Sequence, residues 1–184
     1  MLLILNFATF QIGWFSSVIG GAQQMPWLGP LAALIALSIH FYFARRPLQE
    51  LILILSCAVI GATFDSMLVA VGWVEYSSGL ISEVMAPYWI VTMWMLFATT
   101  LNVSMRWLRG REGLAALFGL FGGPMAYIAG QKLGGIDLVN QFAALAALGI
   151  GWAVMMPILL RLSETFDGMS ELPAGLPEPV GESA

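Results

Sequence analysis

The residues best placed to do chemistry in this sequence are polar side chains set inside long apolar runs. Asp65 stands in Gly61-Ala62-Thr63-Phe64-Asp65-Ser66, well inside one such run. An ionised carboxylate at the centre of a bilayer costs at least ~2.5–3.5 kcal/mol, so this acid must be protonated, paired or turned towards a wet interior. No Lys or Arg falls at matching depth in any other apolar run, and a hydrogen-bonded carboxyl is expected in place of a salt bridge. Such a group can hand on a proton or anchor a ligand. It can equally serve as a structural hydrogen bond that fixes how helices pack.

Gln11 is expected at the same depth and is the natural amide partner for Asp65. Trp14, Trp94 and Trp152 lie towards the middle of their runs, and Tyr127 follows Gly122-Gly123-Pro124. Gln11, Trp14, Asp65, Trp94, Tyr127 and Trp152 therefore form a candidate midplane pocket. Aromatic walls with a few convergent polar groups are the usual form of a ligand site. A packed core that sets large residues opposite glycines would use the same side chains. A second candidate layer, Asn6, His40 and Asn102, is expected nearer the cytoplasmic ends of helices one, two and four. His40 is the only histidine, and it suits a general base or proton relay, or else a helix C-terminal cap. With a single Cys, Cys57, there is no disulfide and no Cys/His metal spacing. No nucleotide, haem, metalloprotease or serine-hydrolase motif is present, so no metal or cofactor is expected.

The elements that must position these groups are transmembrane helices. Hydrophobic residues make up 59% and charged residues 10% of the 184 residues, against about 45–50% and about 25% in soluble domains. That leaves too little polar surface to cover the chain in water. Six stretches approach the ~20 apolar residues a bilayer-crossing helix needs: about 2–20, 28–44, 50–74, 87–106, 113–131 and 138–162. The expected fold is all-α, a polytopic six-transmembrane-helix bundle over 1–163, followed by a disordered cytoplasmic tail over 164–184. Gly20-Gly21, Gly110 and Gly134-Gly135 are read as helix ends. Gly119 with Gly123, and Ala143, Ala147 and Gly151, provide small-residue faces on the last two helices, where close backbone approach drives association in lipid.

Orientation follows from the cations. Arg45, Arg46, Arg106, Arg109, Arg111 and Arg161 fall on the side holding both termini, and only Lys132 falls on the other. The positive-inside rule then places both termini in the cytoplasm. Trp27, Trp73, Tyr76, Tyr88 and Trp89 are expected as an outer aromatic belt, and Phe41, Tyr42 and Trp107 as an inner one. With only seven Lys and Arg and a net charge of −4, the chain has no basic stripe for nucleic acid. Membrane lipids are the expected partners.

The sequence resembles the bacterial inner-membrane proteins grouped as domain of unknown function family 2878. The resemblance rests on Phe10-Gln11-x-Gly13-Trp14 with Gly20-Gly21, His40, Asp65-Ser66 and Pro87-x-Trp89. It continues through Phe97-Ala98-Thr99-Thr100-Leu101-Asn102, Gly122-Gly123-Pro124-x-x-Tyr127, and Trp152 with Pro157. It implies a multi-pass protein of the bacterial inner membrane, in a setting like that of proteins encoded beside lipid-modifying enzymes. Three functions stay open on this reading. The first is an accessory or enzyme of membrane-lipid (fatty-acyl) modification. The second is a small-molecule or proton-coupled transporter or its substrate-binding subunit. The third is a membrane scaffold.

Overall fold

The computed structural model describes residues 1–170. Six α-helices form a bundle: α1 (Leu2–Ala22), α2 (Leu28–Phe43), α3 (Pro47–Ala70), α4 (Tyr88–Leu101), α5 (Glu112–Lys132) and α6 (Gln141–Thr165). Two short strands, β1 (Glu75–Tyr76) and β2 (Ile136–Asp137), pair antiparallel with Glu75 opposite Asp137 and Tyr76 opposite Ile136. Four helices, α1, α3, α5 and α6, are long and apolar enough to cross a membrane. With 16 and 14 residues, α2 and α4 extend about 24 and 21 Å, short of the ~30 Å hydrocarbon core.

Helix boundaries move from their expected places for local reasons. Pro47 occupies the first turn of α3, where its missing N–H costs nothing, so α3 starts there and not at 50. It stops at Ala70 because Gly72 turns left-handed (φ +69°) and the N–H groups of Trp73 and Val74 fold back onto Leu68 O. α4 ends at Leu101, well before 106, because the N–H groups of Val103 and Met105 both turn back to Thr100 O. Gly20 and Gly21 do not end α1, which runs on to Ala22. Their role is close approach: a Cβ on Gly21 would lie 3.0 Å from the Trp89 ring. α5 and α6 continue unbroken through Pro124 and Pro157.

Hydrogen bonds tie the connections together at each end of the bundle. At the ribbon end, which carries β1 and β2, Ser78 Oγ donates to Gly21 O at 2.7 Å and Gln24 Nε2 to Ser77 O at 2.8 Å. At the opposite, arginine end, the N–H groups of Arg45 and Arg46 bond Gly168 O at 2.9 and 3.0 Å. Thus every helix, the two short ones included, runs between the same two ends.

α4 is the central element, packed against α1, α2, α3 and α6, while α5 lies along α6. The other five helices all expose large apolar side chains, for example Ile4, Leu34, Val59, Phe121 and Ile150, and α4 exposes none. Apolar patches on that scale are foreign to a soluble monomer and natural to a surface bathed in lipid. The expected outer aromatic belt is partly wrong. Trp27 is exposed, but Tyr76 and Trp89 are buried, because the 71–87 connection folds inwards and Trp89 Nε1 donates to Ser78 O at 2.9 Å. The expected tail also starts too early. α6 runs to Thr165, and residues 166–170 fold back over the arginine end, held by the hydrogen bonds to Gly168 O. The remainder of that expectation, 171–184, lies outside the described residues.

Candidate functional site

One face of α3 is buried along its whole length: Glu50, Leu53, Ile54, Cys57, Ala58, Gly61, Asp65 and Leu68. This is the three- and four-residue spacing of an inward helical stripe, with a carboxyl near each end. Asp65 lies five residues from the last residue of α3, about 7.5 Å below the ribbon end. It is therefore nearer that end than the midplane position expected, because α3 stops four residues early.

Asp65 is fully buried and receives three hydrogen bonds from three elements. Trp94 Nε1 of α4 donates to Oδ2 at 2.6 Å, Tyr76 OH of β1 donates to Oδ1 at 3.1 Å, and Tyr127 OH of α5 donates to Oδ1. Among the described residues no cation pairs with it. A carboxylate offers about four acceptor positions, and these bonds fill three of them. Gln11, the expected amide partner, makes none of these bonds. The indole reaches the carboxyl because glycine makes room: a Cβ on Gly61 would overlap the Trp94 ring.

Trp94 stacks on Trp152 of α6, with centroids 4.7 Å apart and planes 15° from parallel, and Phe97 meets Trp152 edge-on at 5.3 Å. Trp152 is seated by the Gly119/Gly123 pair of α5, where added Cβ atoms would strike its backbone and its ring. The small-residue motif thus serves as a socket for an aromatic side chain. The Trp152 Nε1–H is buried without a partner among the described residues, a rare condition that in native structures calls for an explanation.

These groups line a cavity of about 380 Å³ between α1 and α4 on one side and α5 and α6 on the other, within the size range of ligand pockets. Of the expected pocket residues, Gln11, Trp14, Asp65, Trp94, Tyr127 and Trp152 all border it. Gln11 and Trp14 supply wall and contribute nothing to the carboxyl cluster. Ile136 borders the cavity at the ribbon end and Met105 at the arginine end. Phe118 and Met125 of α5 border it too and are 42% and 67% exposed. The cavity is accordingly a cleft that opens sideways, between α1 and α5, onto the apolar exterior.

The second expected layer divides. Asn6 Nδ2 donates to Thr99 O at 3.1 Å and stays apart from the other two. His40 and Asn102 are joined by a residue that sequence reading passed over, Glu50. His40 Nε2 shares a 2.7 Å hydrogen bond with Glu50 Oε2, and Asn102 Nδ2 donates to Oε1 at 2.5 Å. Gly168 N–H donates to the same oxygen at 2.7 Å. Glu50 is fully buried, and its signal was the α3 stripe it shares with Asp65. Arg109 extends the cluster, donating to Asn102 Oδ1, to Ser163 O at 2.9 Å and to Asp167 Oδ2 at 2.8 Å. Arg106 also pairs with Asp167. Burial alone would raise the Asp167 pKa. The hydrogen bonds from Arg109 and Ser170, with the Arg109 charge, outweigh it and hold the carboxyl well below its ordinary range. This network locks the chain after α6 onto the arginine end. Among the described residues no group of three His, Cys, Asp or Glu side chains could hold a metal.

No curated protein and no solved structure matches the chain. A family model described as "Protein of unknown function (DUF2878)" matches residues 3–158. The match takes in the Asp65 cluster, the aromatic stack and the His40–Glu50–Asn102 bonds, and stops before the Asp167 segment. Since it spans most of the 184 residues, the chain belongs to the DUF2878 family.

Proposed function

We propose that this protein crosses the bacterial inner membrane six times, with both termini in the cytoplasm, and acts on or presents acyl chains of membrane lipids. Its role is that of an enzyme or accessory of fatty-acyl modification. The observation that carries the reading is the sideways cleft: apolar walls facing lipid tails, with one carboxyl cluster as its principal polar feature. A lipid chain can move into such a cleft without leaving hydrocarbon. Asp65 is the anchor for the polar or reacting group, and Tyr127 and Tyr76 are hydroxyls through which a proton can pass to or from it.

The topology is supported by the six arginines at the end holding both termini. It is supported also by α2 and α4 joining the same two ends as the longer helices. α4 is enclosed by neighbours and needs no full-length apolar surface. A short α2 is accommodated by local thinning at a modest cost.

The test is the membrane lipid mass spectrum of three strains: wild type, gene deletion, and deletion complemented with Asp65→Asn. The expected result is a lipid species lost in the deletion and not restored by the inserted variant. Identical spectra under conditions of expression would sink the proposal.

A further inference from the structure

The cleft is graded along its length. α5 borders it from Phe118 to Ala129, about 17 Å of helix. Its ionisable and phenolic groups, Asp65 and Tyr127, sit at the ribbon half, each five residues from the end of its helix there. Gln11 is at the middle of α1, and its side chain makes no hydrogen bond among the described residues. Towards the arginine end the walls are Phe97, Phe118, Met156 and Met105, all apolar. Among the described residues no Lys, Arg or His lines the cleft at any level.

We propose that the cleft takes a single long-chain amphiphile whose polar end is an uncharged hydroxyl, seated against Asp65 with the tail pointing to the arginine end. This rests on the acyl-chain reading above and names its ligand class. A carboxylate, sulfate or phosphate end would lose its water and find no cation, with a carboxyl as its nearest polar neighbour; such a buried, unpaired charge is expensive. A hydroxyl needs no counter-charge, and its O–H donates to the remaining acceptor position on Asp65. The direction follows from the same gradient, because a reversed ligand would bury its hydroxyl among Phe97, Phe118 and Met156 and leave Asp65 facing methylenes. The ligand is therefore drawn from the leaflet at the ribbon end.

The experiment uses the full chain in phosphatidylcholine vesicles with dodecanol carrying a photoreactive diazirine at its terminal carbon, a length matched to the cleft. Dodecanol and dodecyl sulfate, without the diazirine and at concentrations too low to disrupt the vesicles, serve as competitors. The expected result is labelling at Phe118, Met156 or Met105, blocked by dodecanol at least about tenfold more effectively than by the sulfate. Equal competition by the sulfate would overturn the uncharged end, and labelling at Val18 or Ile136 would overturn the direction. Labelling of lipid-facing residues alone, with none in the cleft, would remove the acyl-chain reading itself and this proposal with it.

Discussion

Replacing Glu50 separates the hydrogen bonds of a buried carboxyl from its charge. Its two oxygens serve three partners, His40 Nε2, Asn102 Nδ2 and Gly168 N–H, at 2.7, 2.5 and 2.7 Å. Glu50→Ala leaves all three without their partner in a site closed to water. Each unsatisfied group costs about 1–3 kcal/mol, and breaking a buried pair costs about 3–5 kcal/mol in all. Glu50→Gln keeps the shape. Its oxygen can still accept from Asn102 and Gly168, and its NH₂ can donate to His40 Nε2 in the tautomer protonated at Nδ1, so the loss should stay under about 1.5 kcal/mol. At ~2–4 °C per kcal/mol for a chain of this size, Glu50→Ala should lower Tm by roughly 6–20 °C and Glu50→Gln by less than about 6 °C. Thermal unfolding of the full chain in detergent, followed by tryptophan fluorescence, measures both. If Gln falls as far as Ala, the charge and not the hydrogen bonds holds this end together. If Ala falls by less than ~2 °C, the network carries no stability and the reasoning fails.

Gly61→Ala should push the Trp94 ring off Asp65 and off Trp152, since the new Cβ would overlap an indole already fixed on both sides. The expected cost is about 1–3 kcal/mol, with loss of the near-ultraviolet circular dichroism of the stacked pair; an unchanged spectrum would refute the placement. The docked segment after α6 should follow Asp167. Its folded pKa lies below the unfolded value of about 3.9, so its contribution is fully present above roughly pH 4 and is lost only as pH falls further. Hydrogen exchange at residues 166–170 should be insensitive between about pH 7 and 5 once the intrinsic rate is divided out. Asp167→Asn should speed it about five- to thirtyfold, equivalent to about 1–2 kcal/mol for these partly solvated charge-assisted bonds. Release of the segment on mild acidification of the wild type would show that another group controls it.

The membrane character, the six helices and the family were legible in the sequence because they depend on local quantities. Mean apolarity over ~20 residues decides whether a segment prefers lipid, and proline and glycine punctuate whatever the neighbours do. Asp65 was legible for the same reason, since a carboxyl in an apolar run is costly wherever its partners turn out to be. The partners were not legible. Gln11 was expected at the depth of Asp65, but the early end of α3 leaves Asp65 nearer the ribbon end than Gln11, and the donors proved to be Trp94, Tyr127 and a tyrosine assigned to an interfacial belt. Tyr76 reaches Asp65 because β1 pairs with β2, a contact between residues about sixty apart in the chain that no local pattern encodes. Glu50 looked like an ordinary acid in the first turn of a helix, and Asp167 like part of an acidic tail. Tertiary structure buried the first against His40 and Asn102 and brought the second to Arg106 and Arg109. Tertiary structure also decided that α4 lies at the centre of the bundle. Burial of a helix on all sides is a property of its neighbours, and α4 is no more apolar than α2, which faces lipid.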